Sequence, residues 1–213
     1  MSDSTEDTLS DELAELRNNQ KITNIITSVS ASISIIGSAA IIWHILRSHK
    51  GLSSTYHRLV FGLCVGDLMV SFAFAVNAAA APKEMKYLMP FAHGSVETCT
   101  AQGLILTVGS VMASFYNCMI CFYYLSIITF NKKDDYIKHK LEPWFHGVPI
   151  ILTIVIGIAG LIMKQYNTDG TAGVCHPTSY NQSHVDYEYC ACYNHTSYYC
   201  RHHSHYVQNH AKD

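Results

Sequence analysis

The stretch GLCVGDLMVSFAF, Gly62 to Phe74, places one aspartate, Asp67, inside a run otherwise apolar enough to cross a membrane. A charged side chain at the centre of a membrane helix costs roughly 2.5–3.5 kcal/mol on insertion scales, so it calls for a partner or a function. Around this run the 213-residue chain divides into three regions that its averages conceal. Residues 1–21 are polar and acidic, with Asp3, Glu6, Asp7, Asp11, Glu12 and Glu15 against Arg17 and Lys21. Residues 22–163 are dominated by apolar runs, and from His176 onward the chain is rich in His, Tyr and Cys with no apolar run. The net charge of -2 therefore says little, and its distribution carries the information.

Crossing about 30 Å of hydrocarbon as a helix takes ~20 residues at 1.5 Å each. Four segments qualify: 22–46, 59–81, 101–130 and 143–163. The first carries no charge apart from His44, the second closes at Pro82, the third is uncharged, and the fourth opens with Pro143 in its first turn, where a missing N–H is harmless. The expected fold is all-α and integral to the membrane: an antiparallel bundle of four transmembrane helices. Residues 1–21 are expected to form a mostly disordered extracellular tail, helical around Leu9–Leu16. Residues 164–213 are expected to form an extracellular loop and a flexible Cys/His/Tyr-rich luminal tail, because so little apolar content cannot bury a core.

Lysine and arginine in the short loops set the orientation. Arg47, Lys50 and Arg58 follow the first span, and Lys132, Lys133, Lys138 and Lys140 follow the third. The loop after the second has only Lys83 and Lys86. Both basic loops then face the cytoplasm, the N-terminus lies outside, and Trp43 and Trp144 fall at the cytoplasmic interface. The start lacks the basic, apolar and small-residue layout of a cleaved leader. Asn181-Gln-Ser and Asn194-His-Thr are glycosylation acceptors on the outer side. Cys99, Cys175, Cys190, Cys192 and Cys200 share that oxidising compartment, while Cys64, Cys118 and Cys121 lie within helices as packing residues. Ser30, Ser34 and Ser38 form a small-residue stripe and Gly62 and Gly66 a GxxxG, faces that let helices approach closely.

This layout resembles the first four helices of a seven-helix G-protein-coupled receptor. LCVGD (Leu63–Asp67) is similar to the Leu-x-x-x-Asp of rhodopsin-like receptors. Cys99 in ETCTAQGLIL looks like the cysteine at the outer end of the third helix, and YYLSIITF leads into a basic loop. EPWFHGVPIILTIVIGIAGL is followed by Cys175 about a dozen residues on. CTAQG (Cys99–Gly103) and EPWFH (Glu142–His146) look like the divergent receptors of diatoms and other protists, including relatives of slime-mould cyclic-AMP receptors. The likeness covers residues 22–175. It implies a disulfide between Cys99 and Cys175, and a ligand pocket around Gln102, Leu106 and Ser110. It also implies a G-protein-facing surface including Tyr123, Tyr124, Lys132 and Lys133. The chain departs from the pattern where Tyr124 takes the place of the arginine of the acidic-Arg-Tyr triplet. It departs again where Gly37-Ser38 replaces Gly-Asn, and HGVP (His146–Pro149) echoes the secretin-like class with a histidine in the indole's place.

Asp67 is the ninth residue from Leu59, ~13 Å into the membrane and too deep to snorkel. In the resembling receptors this aspartate joins a polar network, often with sodium, that changes between resting and active states. Here Ser38, Ser71, Ser114 and Asn117 are the candidate members. Buried without a cation, a carboxyl favours its neutral form; the alternative role is a neutral carboxyl that only holds helices together.

No phosphate loop, nucleophile elbow or HExxH is present, so no enzymatic activity and no cofactor are expected. His202, His203 and His205 beside Cys200, with Cys190 and Cys192 upstream, match no established metal-site spacing. No fifth, sixth or seventh span follows, so the expectation is a truncated receptor or a tail read in an altered frame. The expected function is plasma-membrane signal transduction from an unidentified extracellular ligand to a heterotrimeric G protein when full length. The alternatives are a four-helix interaction protein pairing with another receptor, and a luminal metal-binding membrane protein. The lipid bilayer and a receptor oligomer are the other expected partners, and nucleic acid is not one.

Overall fold

The structure, a computed structural model, describes residues 3–83, 86, 89, 91–129, 136–167 and 173–177, with side chains from residue 14 onward. Four helices carry the described chain: α1 (Asp3–Arg47), α2 (Thr55–Val76), α3 (Val96–Ile128) and α4 (Glu142–Ile162). Each belongs to a stretch long and apolar enough to cross a membrane: Ala14–Arg47, Thr55–Ala80, Val96–Ile128 and Ile137–Ile162. Two short strands, β1 (Tyr166–Asn167) and β2 (His176–Pro177), pair antiparallel beyond α4.

Helix α1 runs 45 residues, ~68 Å at the α-helical rise. The acidic start is therefore helical from Asp3, so the helix expected around Leu9–Leu16 extends in both directions. Residues 3–36 contain neither proline nor glycine, so nothing in them stops the helix from propagating out of the apolar segment. On its packed side Asn24, Ala31, Ser38 and Ile45 are buried, with Ser28, Ile35 and Ile42 half-buried between them. That spacing alternates four and three residues, which holds one face of a helix against its neighbour. Of the serine stripe only Ser38 is buried; Ser30 and Ser34 are exposed, because constant steps of four drift around the helix.

Glycines set the approach of α2 to α3. A Cβ on Gly66 would lie 2.8 Å from the backbone nitrogen of Ala113, and one on Gly109 would lie 2.9 Å from the carbonyl oxygen of Gly66. A Cβ on Gly62 would meet the Tyr116 ring at 2.5 Å. Backbones this close exclude any larger residue, so the GxxxG of α2 is used against α3, with Gly109 as its counterpart.

Helix ends follow from local chemistry. Ser95 and Thr98 form a capping box at the start of α3: the Thr98 N–H donates to Ser95 Oγ at 3.4 Å and the Ser95 N–H to Thr98 Oγ1 at 2.7 Å. The Thr98 hydroxyl also donates to the Ala80 carbonyl at 2.8 Å, tying this end to the turn after α2. A π-helical turn, Ile137–Leu141, leads into α4, which begins with Glu142 and Pro143. One apolar cluster, Leu59, Tyr116, Tyr123, Ile137 and Phe145, fills the Arg58 end of the helices. Another, Ala73, Leu106 and Val174, lies toward Cys99.

Candidate functional site

At the Cys99 end, Cys99 and Cys175 are disulfide-bonded with their Cα atoms 5.4 Å apart. Gln102 lies one turn further along α3 and is 4% exposed. Its amide nitrogen donates to the carbonyls of Ala73 and Asn77, each at 2.8 Å, and its oxygen accepts the Cys175 N–H at 3.1 Å. The side chain is thus committed to backbone on two sides. Leu106, one turn further again, is buried with Ala73 and Val174, whereas Ser110 is exposed. The three residues expected to line a ligand pocket do not converge on one cavity: one is a staple, one is core and one is surface.

Asn77 completes the staple. It sits at φ 49°, a conformation asparagine tolerates better than most residues, and its own N–H closes α2 on the Ala73 carbonyl. Its side-chain nitrogen donates to the Asn24 carbonyl of α1 at 2.9 Å. Gly173, at φ 68°, passes so close that an added Cβ would lie 2.5 Å from Asn24 Oδ1. Three helices and the Cys175 segment are therefore joined by side-chain amides as well as by the apolar cluster of Ala73, Leu106 and Val174.

Tyr166 closes the same end and was not singled out by the sequence. Its side chain is buried, and its hydroxyl donates to the Gly157 carbonyl at 3.2 Å. A Cβ on Gly103 would lie 3.0 Å from the ring, and one on Gly160 would overlap it. The ring occupies space that only glycine leaves between α3 and α4. Burial pushes the Tyr166 phenol above its ordinary range, with a smaller opposing effect from the hydroxyl of Thr107. The GIAG of α4 was the available signal, but nothing in it names the residue that fills the gap.

Asp67 is half-buried midway along α2. Among the described residues its carboxyl has no hydrogen-bond or ion-pair partner. Ser71, one turn on, donates to Ser34 of α1 at 2.9 Å. Ser114 lies on the exposed face of α3 and bonds back to the Ser110 carbonyl at 2.8 Å; Asn117 is exposed beside it. Ser38 is buried on α1. The expected network is therefore not assembled around Asp67: Ser71 is paired across to α1, and Ser114 and Asn117 face away from the packed side.

The Arg58 end holds a second polar cluster that sequence reading missed. The Arg58 guanidinium is paired with Glu142, and Thr55 donates to the same carboxylate at 3.0 Å, joining the starts of α2 and α4. Glu142 is one turn before His146, whose Nδ1 lies 3.1 Å from the Tyr116 hydroxyl of α3. Opposite charges just before two apolar spans, Arg58 and Glu142, were the signal. Tyr123 is buried in the apolar cluster, while Tyr124 is exposed; their rings lie 5.8 Å apart, and both flank Tyr56. Lys132 and Lys133, the acceptors Asn181 and Asn194, and the Cys/His-rich segment around Cys190, Cys192, Cys200, His202, His203 and His205 lie outside the described residues. No family model, curated protein or solved structure matches the chain.

Proposed function

We infer that this chain is an integral membrane protein, an antiparallel bundle of four transmembrane helices, and that it works as a signalling protein similar to G-protein-coupled receptors. The membrane part of this reading is supported by the outward faces of α1 and α4. Ile33, Ile36 and Trp43 on one, and Ile151, Ile154 and Ile158 on the other, are all exposed, with Ile36 at 70%. Apolar surface this continuous is favoured in hydrocarbon and costly in water.

The signalling part rests on one arrangement. The disulfide and the Gln102 staple hold the Cys99 end firmly, while Asp67 lies unpaired among the described residues midway along the bundle. A carboxyl in that position gains by acquiring a partner, so its helix has a second arrangement to move toward. In this reading the N-terminus and the Cys99 end lie outside the plasma membrane, where an extracellular ligand acts, and the Arg58 end meets a heterotrimeric G protein. The test is resonance energy transfer between a tag beyond α3 on the Arg58 side and a tagged G-protein α subunit in cells. A specific, saturable signal reduced by Asp67→Asn supports the reading, and a signal no larger than that of an unrelated four-span protein removes it.

A second reading is favoured by the exposed polar line of α3. Ser110, Ser114 and Asn117 share one face at helical spacing. Polar side chains on a membrane helix gain by bonding to another helix. On this reading the chain pairs with a receptor through that face. Co-purification with a full-length receptor, lost on Asn117→Leu, supports it; a strictly monomeric product counts against it.

A further inference from the structure

A cavity of about 430 Å³ opens at the Arg58 end between α2 and the entry to α4, lined by Arg58, Lys138, His139, Glu142, Pro143 and His146. Glu142 is already engaged by Arg58 and Thr55, so the one acidic group of the lining is spent on the guanidinium beside it. What remains includes the Lys138 ammonium and the His146 ring. Lys138 is exposed, and His146 Nε2 is buried with no hydrogen-bond partner, 3.8 Å from a Glu142 carboxylate oxygen, its other ring nitrogen facing Tyr116. Such a lining suits an anion with several acceptor oxygens. The π turn widens the helix at this point, with the Glu142 N–H reaching back to the Ile137 carbonyl. It is this turn that carries Lys138 and His139 to the cavity.

The surroundings indicate which anion. Tyr136 and Trp144, both exposed, lie in sequence beside and among the lining residues of the α4 entry, and such rings settle at the level of lipid headgroups. Beyond them α4 exposes Ile150, Ile151 and Ile154, one to two turns after His146. Resting on the membrane reading above, we propose that this cavity binds the phosphate of an anionic phospholipid, whose acyl chains lie along α4. Basic pockets between membrane helices take phosphate headgroups by this chemistry.

The test uses the full chain purified in detergent with phosphatidylcholine and titrated with dioleoylphosphatidic acid, the adducts being counted by native mass spectrometry. Phosphatidic acid is retained in preference to phosphatidylcholine. Lys138→Gln weakens that retention about fivefold, the effect of one lysine near an anionic headgroup. Lys140→Gln, outside the cavity, leaves it unchanged, and both variants keep the wild-type thermal midpoint because both lysines are exposed. Equal losses in the two variants, or no preference for the anionic lipid, overturn the site. Displacement by inorganic phosphate alone assigns the cavity to free phosphate and overturns the lipid. Alkaline carbonate extraction of cell membranes, run in parallel, tests the membrane reading separately. A chain that resists extraction yet shows no adduct overturns only this proposal.

Discussion

The side-chain oxygen of Gln102 accepts the backbone N–H of Cys175 at 3.1 Å, one turn along α3 from Cys99, the residue to which Cys175 is covalently joined. The covalent and polar links therefore act on the same segment from the same face of one helix. The disulfide limits how far the segment can stray, and the amide fixes its direction. The same amide holds the end of α2, so α2, α3 and the Cys175 segment share one buried polar group.

Gln102→Glu keeps the volume and the acceptor but removes both donors to Ala73 and Asn77. It also sets an acidic oxygen against two carbonyls. The Ala73 carbonyl keeps the Asn77 N–H, so one buried acceptor is left unmet, at an expected cost of about 1–3 kcal/mol. Thermal unfolding in detergent with the disulfide intact checks this, and a midpoint within one degree of wild type contradicts the staple.

Gly66→Val sets a branched side chain against the backbone of Ala113, which cannot rotate away. Overpacking of this kind is expected to cost about 1–3 kcal/mol and to push α2 from α3. Gly37→Ala on α1, where nothing lies within 4 Å of the added Cβ, serves as the control and should be neutral or slightly stabilising. Thermal midpoints of the two variants side by side distinguish close helix approach from a general intolerance of glycine replacement.

Tyr166 gives a pH dependence. Its phenol is raised in the folded state by burial, so the folded chain favours the neutral form. The stability this group contributes is present in full below the ordinary phenol value of about 10 and is lost as pH rises through the higher folded value. Tyr166→Phe is expected to lose the Gly157 bond, about 1 kcal/mol at neutral pH, and to show a shallower decline in alkali. Unfolding followed at pH 7 and again above pH 10 measures both. A variant that falls as steeply as wild type removes Tyr166 as the titrating group.

Asp67→Asn removes the ionisable carboxyl without removing a hydrogen bond among the described residues. Since an asparagine is less costly than an aspartate in a membrane helix, surface expression is expected to hold or rise while signalling changes. Surface labelling and the energy-transfer signal are measured on the same cells. Equal loss of both would mark Asp67 as a purely structural residue.

Much of the architecture could be read before any coordinates. The four apolar spans follow from length and composition, and Pro143 marks the first turn of the fourth, whereas α2 and α3 begin at Thr55 and Val96, several residues before the apolar runs expected to span the membrane. In the acidic start the Leu9–Leu16 helix was legible but its extent was not, because helix propagation depends on the absence of breakers. The residues expected to line a ligand pocket are placed in three different surroundings. Position along α3 placed Gln102, Leu106 and Ser110 on one side, but position cannot say that Gln102 would be consumed by the backbone of residues 25, 29 and 73 places away.

Four helices of membrane-spanning length were settled by local chemistry, because apolar content, helix propensity and caps act within a few residues. Which groups inside those helices are bound and which remain open was settled only when the helices met. Glycines at 66, 103, 109 and 160 gain their meaning from the backbone or ring that fills the space each leaves. Hydrogen bonds such as that of Gln102 to Cys175 are short in space and long in sequence. No local pattern encodes them.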